Sequence, residues 1–223
     1  MFIQAKQTGK REVTFYNKDG SGVIQQGGNW TWRNQNPGNI GAGAWANRHG
    51  AIGKAGAFAI FPDYDAGKAA IFDLLQGPDF KDLTIWAAIP RYAPTEDNND
   101  VERYRKIVAK ATGLDLKKKK IKDLTKAELK LFVDAIERVE GKFKSGKVTK
   151  FIAKKKITSI NKNKKGTIIS YYVKGIGWIS KEQAIELTSN GKIDAVVSHS
   201  RAGNPYIKTR PDWSIENNLE GME

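Results

Sequence analysis

The 223-residue chain has no cysteine, which excludes disulfides, thiolate metal sites and a cysteine nucleophile, and leaves the redox compartment open. Its histidines are His49 and His199 alone, too few for most zinc sites. His199 stands between Ser198 and Ser200, where neighbours on a strand point to opposite faces, so a Ser-His-Asp relay is poorly served there. Neither histidine begins an H-x-E pair, and metal-dependent phosphodiester cleavage is disfavoured. No metal and no cofactor are expected. No segment approaches the ~20 consecutive apolar residues that span a bilayer, so a membrane partner is not expected either. The start, "MFIQAKQTGKREVTFYNKDG", lacks an apolar core behind a basic end. The expectation is synthesis in the cytoplasm without a Sec signal, and delivery by another route if the protein works outside its cell.

Acidic residues are also in short supply, with 24 Asp and Glu against 38 Lys and Arg, a formal net charge of +14. The excess is spread along the chain. Residues 1–148 hold 25 basic and 17 acidic groups, and residues 149–223 hold 13 and 7. Such a charge favours a polyanionic partner, nucleic acid or an anionic envelope, or a very soluble surface. The densest run, "LKKKKIKD" from Leu116 to Asp123, has no interleaved aromatics and reads as a solvated linker, not a stacking platform for single strands.

Residues 1–64 are rich in Gly, Asn and Trp. A strand "EVTFYN" closed by the turn "KDGSG" precedes a long irregular stretch through "GGNWTWRNQNPGNIGAGAW". That stretch is too aromatic for a linker, and Trp30, Trp32 and Trp45 would give a groove flat apolar faces on which sugar rings stack. From Asp65 the period becomes helical, with Ala69, Phe72 and Leu74 or Leu75 on one face up to Gly77-Pro78. Helices follow in "LTIWAAIPRYAP" and in "VERYRKIVAKATG", the latter on Tyr104, Val108 and Ala111. A fourth opens with the capping box Thr125/Glu128 and carries the stripe Leu129, Phe132, Val133 and Ile136. Past residue 148 short strands and turns take over around a helix capped by Ser180 and Gln183. A boundary is placed there, with a ββαββ-like module of about 70 residues beyond it.

The fourth helix ends its stripe on a glutamate. At about 100° per residue, Glu140 lies roughly 20° from Leu129, inside the apolar face, whereas Glu137 lies about 80° round at the edge, where solvent should keep it ionised. Burial and the negative end of the helix dipole both raise the pKa of a carboxyl so placed, which suits a general acid. The alternative is a charge that pairs with Arg138 or a lysine and closes the helix. Periodicity does not choose between the two.

Four motifs in order, "RNQNPGNI" (33–40), "FAIFPDYDAGKAAIFDLL" (58–75), "IPRYAPTEDNNDVERYRKIVAKATG" (89–113) and "AIERVEG" (135–141), resemble the lysozyme-like peptidoglycan hydrolase domains of phage virion proteins and type VI secretion effectors. The resemblance covers about residues 28–145. It implies an α+β fold whose first domain, 1–148, is mainly helical and lysozyme-like, cutting the β-1,4 glycan of murein as a muramidase or lytic transglycosylase. Glu140 is carried over as the acid. Asn36 and Asn39 would hold N-acetyl and hydroxyl groups, or close a turn by Asx hydrogen bonds. Tyr92 would line the cleft, or pack in the core, and Trp32 would contact sugar. In ordinary lysozymes the acid precedes the strands, so the order here looks circularly permuted, and Asp63, Asp65, Asp97 and Asp100 stand unranked as a second carboxylate. The tail "ISKEQAIELTSNGKIDAVVSHSRAGNPYIKTRPDWSIENNL" (179–219) resembles a small uncharacterised bacterial domain, and the basic module 149–223 suits wall binding or, ahead of it, partner binding. The partners implied are peptidoglycan, an immunity protein, and a secretion spike or carrier protein, and the site of action is the periplasm of a target bacterium or the envelope crossed by a phage. The competing classes are a nucleic-acid-binding protein and a non-catalytic virion or spike component.

Overall fold

The first 64 residues supply five of a sheet's six strands where one strand was expected, and these strands flank the irregular stretch 27–45 without replacing it. The computed structural model describes residues 1–208, which fall into two compact units, residues 1–18 with 22–150, and residues 19–21 with 151 onward. In the first unit, β1 (Gln4–Gly9), β2 (Glu12–Tyr16), β3 (Gly22–Gln26), β4 (Gly53–Ala55), β5 (Phe58–Ile60) and β6 (Lys147–Phe151) form one sheet in the order β5-β4-β1-β2-β3-β6. β1 and β4 run parallel, while β1–β2, β2–β3 and β4–β5 are antiparallel. Gly53 permits the parallel pairing, because a Cβ there would collide with the backbone carbonyl of Ala5. Val13, Phe15, Ala5, Ala55 and Ile60 fill a small core of their own against this sheet.

Six helices complete the unit: α1 (Trp30–Arg33), α2 (Ala44–Arg48), α3 (Tyr64–Gln76), α4 (Ile85–Tyr92), α5 (Val101–Thr112) and α6 (Lys126–Glu140). A mainly helical, lysozyme-like domain is therefore not what forms, in permuted order or otherwise; a six-stranded mixed sheet shares the unit with the helices. Periodicity missed β1, β4 and β5 because β4 and β5 have three residues each and β1 meets its parallel partner β4 across more than 40 residues.

Each helix is set by local chemistry. In α3, Asp63 caps the N-terminus through Ala66 N–H, not Asp65, and the buried face is Gly67, Ala70, Ile71 and Leu75. Of the expected face, Leu75 is buried and Phe72 packs half-buried on the core, but Ala69 is exposed, because Gly67 packs directly on the backbone of Gln35 and on Pro37. Pro90 in α4 cannot donate to the Trp86 carbonyl one turn back. Arg105 of α5 supplies the missing donors at 3.0 and 3.3 Å, and its guanidinium lies 3.7 Å from the Trp86 ring centroid. α5 stops at Gly113 in the left-handed region, φ 69°. α6 has the reciprocal Thr125/Glu128 capping box and buries Leu129, Phe132, Val133 and Ile136. In the lysine-rich run, Leu116 and Ile121 are buried anchors, and Lys118, Lys119 and Lys122 pair with Asp115, Glu128 and Asp82.

The second unit has β7 (Ile157–Lys162), β8 (Ile168–Val173) and β9 (Gly177–Ser180) in one antiparallel sheet, then α7 (Lys181–Ser189), then the hairpin β10 (Val196–His199) and β11 (Pro205–Lys208). Three strands precede the helix where two were expected, since the turn at Lys174–Ile176 divides one apparent strand into β8 and β9. Ile160, Tyr171, Val173, Ile179 and Ala184 lie in its core. His199 is exposed at the end of β10, paired in register with Pro205.

Candidate functional site

The "RNQNPGNI" segment leaves α1 and turns twice through left-handed backbone, at Gln35 (φ 50°) and Asn39 (φ 46°). Asn36 fixes the loop from within. Its side chain is fully buried, its Nδ2 donates to the carbonyls of Ile40 and Ala59 at 2.9 and 3.0 Å, and its Oδ1 accepts from Ile40 N–H at 2.9 Å. All of these bonds are internal, so Asn36 is a scaffold residue and lies outside the cleft lining.

Asn39, three residues on, points the other way. Its Nδ2 donates to Glu140 Oε2 at 3.1 Å, while its Oδ1 is buried with no hydrogen-bond partner among the described residues. Tyr104, from α5, donates its hydroxyl to Glu140 Oε1 at 3.2 Å. Burial raises the Glu140 pKa above the ordinary carboxyl value, and the hydrogen bonds from Asn39 and Tyr104 pull against it without cancelling it. The sequence-based alternative, a charge paired with Arg138 or a lysine, is not what the side chain does among the described residues. The chain just past α6 is tied down through its carbonyls: Thr31 donates to Gly141 O at 2.8 Å and Asn29 Nδ2 to Lys142 O at 2.8 Å.

Glu140 lines a cleft of about 610 Å³ with Asn39, Phe58, Tyr92, Glu96 and Asp97. Tyr92 closes one wall, its hydroxyl donating to Gly38 O at 2.6 Å, and a Cβ on Gly38 would collide with that hydroxyl. Burial and the neighbouring Glu140 carboxylate hold the Tyr92 phenol well above its usual pKa; burial does the same for Tyr104, so both stay protonated as donors. Glu96 and Asp97 sit on a short 3-10 turn, Thr95–Asp97, whose chain then turns through left-handed Asn98 (φ 62°).

Of the four unranked carboxylates, Asp97 alone lines this cleft. Asp63 and Asp100 are spent on capping α3 and α5, and Asp65 is exposed in the first turn of α3. Trp32 is 7% exposed, packed against Gly28, and is not part of the lining; Trp30, 38% exposed, stands 5.9 Å from Phe58 at a tilt of 55° and continues the aromatic surface from the cleft wall. Trp45 stacks on His49 with ring centroids 3.9 Å apart. Glu137 is not the solvated edge carboxylate expected of its helical angle. Its side chain is 18% exposed, accepts from Tyr64 at 2.7 Å and pairs with Lys68 at 3.3 Å. Lys68 also pairs with Asp134 at 2.7 Å.

Sequence reasoning missed Tyr104 and Glu96. Tyr104 was read as one apolar position in a stripe, although a buried phenol needs a hydrogen-bond partner and so signals a polar neighbour. Glu96 offered no periodic signal in "TEDNND".

Comparison with known proteins reaches the second unit. Residues 156–221, under a third of the chain, are similar to the family described as "Protein of unknown function (DUF3892)". No curated protein matches the chain.

Proposed function

We propose that residues 1–150 cleave the glycan strand of bacterial peptidoglycan, with Glu140 as the general acid. The observation that carries this reading is convergence. Four motifs spread over more than 100 residues all contribute to one cleft around a half-buried carboxyl: Asn39 from the first, Phe58 from the second, Tyr92, Asp97 and Tyr104 from the third, and Glu140 from the last.

The chemistry follows from the proton. A carboxyl with raised proton affinity holds its proton at a pH where exposed glutamates have lost theirs, and can pass it to the glycosidic oxygen as the bond to the anomeric carbon breaks. The bonding pair leaves with that oxygen. Glu140 becomes a carboxylate, and the donors from Asn39 and Tyr104, aimed at its two oxygens, bind this charged form more strongly than the neutral one, which favours the transfer. The positive charge that develops on the sugar ring meets Asp97 and Glu96, which line the same cleft. Asp97 is the better placed of the carboxylates considered from sequence to activate water. Phe58, extended by Trp30, offers an apolar face to a pyranose ring. With this substrate the protein acts beyond the cytoplasm, in the periplasm of a target cell or in an envelope being crossed by a phage.

The test is digestion of purified sacculi with product analysis by mass spectrometry. Native protein should release muropeptides with new saccharide ends: reducing ends indicate attack by water, anhydro ends attack by the substrate's own hydroxyl. Glu140→Gln should lower the rate by about 10² to 10⁴. Glu102→Gln, an exposed glutamate paired with Arg105, should leave it unchanged. Peptide-bond cleavage without new saccharide ends, or full activity in Glu140→Gln, would overturn the reading.

A further inference from the structure

The β7-β8-β9 sheet of the second unit buries one face and leaves the other open. Ile160, Tyr171, Val173 and Ile179 point into the core with Ala184 of α7. Alternation then sends Tyr172 and Trp178, which are register partners, to the opposite face. Both are exposed, Trp178 at 50%. Their rings meet edge to face, centroids 5.5 Å apart at 71°, so the two form one aromatic cluster in which Trp178 is the more exposed ring. Ser159 is in register with Tyr172 on its other side, and Asn161 with Ser170 in the adjoining row, which places uncharged donors and acceptors around the rings. Lys156 and Lys174, both exposed and joined by a backbone hydrogen bond of 3.0 Å, stand at the turn end of the sheet.

We infer that this face is a second binding surface, for an anionic cell-wall glycan. A single flat ring edged by hydroxyl and amide groups matches a pyranose, whose apolar face stacks while its hydroxyls hydrogen-bond at the rim. The surrounding charge matches a polyanion: residues 151–208 hold 11 basic groups against 3 acidic ones. Murein combines both features, sugar rings and carboxylate-bearing stems; the choice of murein among anionic glycans rests on the function proposed above. Single-stranded nucleic acid fits less well. It favours successive parallel platforms and guanidinium partners, whereas these rings are nearly perpendicular and ten of the 11 cations are lysines. The surface would hold the chain on its polymeric substrate and raise the local concentration of glycan at the cleft.

Co-sedimentation with purified sacculi tests this, using the full chain with Glu140→Gln so that the polymer stays intact. Adding Trp178→Ala should weaken binding about tenfold, and Trp178→Phe should retain most of it. The double variant Lys156→Glu, Lys174→Glu should weaken binding independently and flatten its salt dependence. Unchanged sedimentation in Trp178→Ala with a native melting curve would overturn the inference. So would tighter binding of a 20-nucleotide single-stranded DNA that is lost in Trp178→Ala. Cleavage of soluble glycan fragments, measured separately with Glu140 intact, reports on the proposed function, so either proposal can fail while the other stands.

Discussion

Asn36 and Asn39 lie in one "NPGN" turn, and their separate roles can be tested at Asn36. Replacing Asn36 by Ala strips Ile40 N–H of its acceptor and removes one donor from each of two carbonyls, Ile40 O and Ala59 O. The Ile40 carbonyl keeps the Ala59 N–H at 2.9 Å, so the chief loss is the stranded amide. A stranded buried donor costs about 1–3 kcal/mol and each weakened carbonyl adds roughly another 0.5–1, for a total of about 2–5 kcal/mol. In a chain of this length that corresponds to a melting point lower by about 5–15 °C. Asn36→Asp sharpens the test, because it keeps the shape while turning two donated hydrogen bonds into carboxylate–carbonyl repulsions. Burial and those carbonyls raise the folded-state proton affinity of the new acid above its unfolded value. Its folded form is therefore favoured while protonated, and stability is lost as pH rises through that folded-state pKa. The deficit against native protein should be greatest at neutral pH and shrink in acid, by about 1.4 kcal/mol for each tenfold difference in proton affinity. Urea unfolding of the three proteins from pH 4 to 8 measures it. Native stability in Asn36→Ala together with lost glycan cleavage would refute the scaffold role and return Asn36 to the substrate.

Glu140→Gln should be more stable than native protein at neutral pH, with the difference vanishing in acid. The raised pKa of Glu140 means that its ionisation opposes folding above the ordinary carboxyl range, and the unpartnered Oδ1 of Asn39 can turn to accept from the new amide. A pH-independent difference in urea unfolding would refute this. Gly67→Ala should destabilise by about 1–3 kcal/mol despite the better helix propensity of alanine, since the added methyl meets the Gln35 backbone and Pro37; a stabilised variant in thermal melts would contradict that packing. Tyr104→Phe should lower glycan cleavage by about tenfold and move the basic limb of the pH–rate profile upward, because a donor to the carboxylate form is lost. An unmoved limb would make Tyr104 a packing residue only.

Sequence reading succeeded where a helix carries its own instructions. The capping boxes at Thr125/Glu128 and Ser180/Gln183 both form, and the stripe of α6 is buried as spaced, because caps and stripes depend on residues three or four apart. It failed where the deciding neighbour is remote. The rotation of α3 is set by Gly67 against the Gln35 backbone, some 30 residues away, and apolar counting favoured Ala69 because glycine has no hydrophobic weight. The sheet was underestimated for the same reason: β1 pairs with β4 across more than 40 residues, through strands rich in Gly, Ala, Lys and Gln.

At the site, periodicity placed Glu140 on the buried face of α6 but could not say what would meet it there. That depends on Asn39 from a loop and Tyr104 from α5, neither of which has any fixed spacing to residue 140. Glu137 makes the same point in reverse. An angle of about 80° from the stripe suggests solvent, yet α3 lies close enough to bring Tyr64 and Lys68 onto it, and its charge is held in a network that braces α3 against α6. The two glutamates differ less in helical angle than in what meets them: Glu137 pairs with the Lys68 ammonium, while Glu140 accepts from neutral donors inside a desolvated wall. A helix angle read from sequence gives a side chain's place on its own helix, not what another element lays over it. On the proposed reading, a carboxyl met by a cation, as Glu137 is by Lys68, braces two helices, and one met only by neutral donors, as Glu140 is, stays available as an acid.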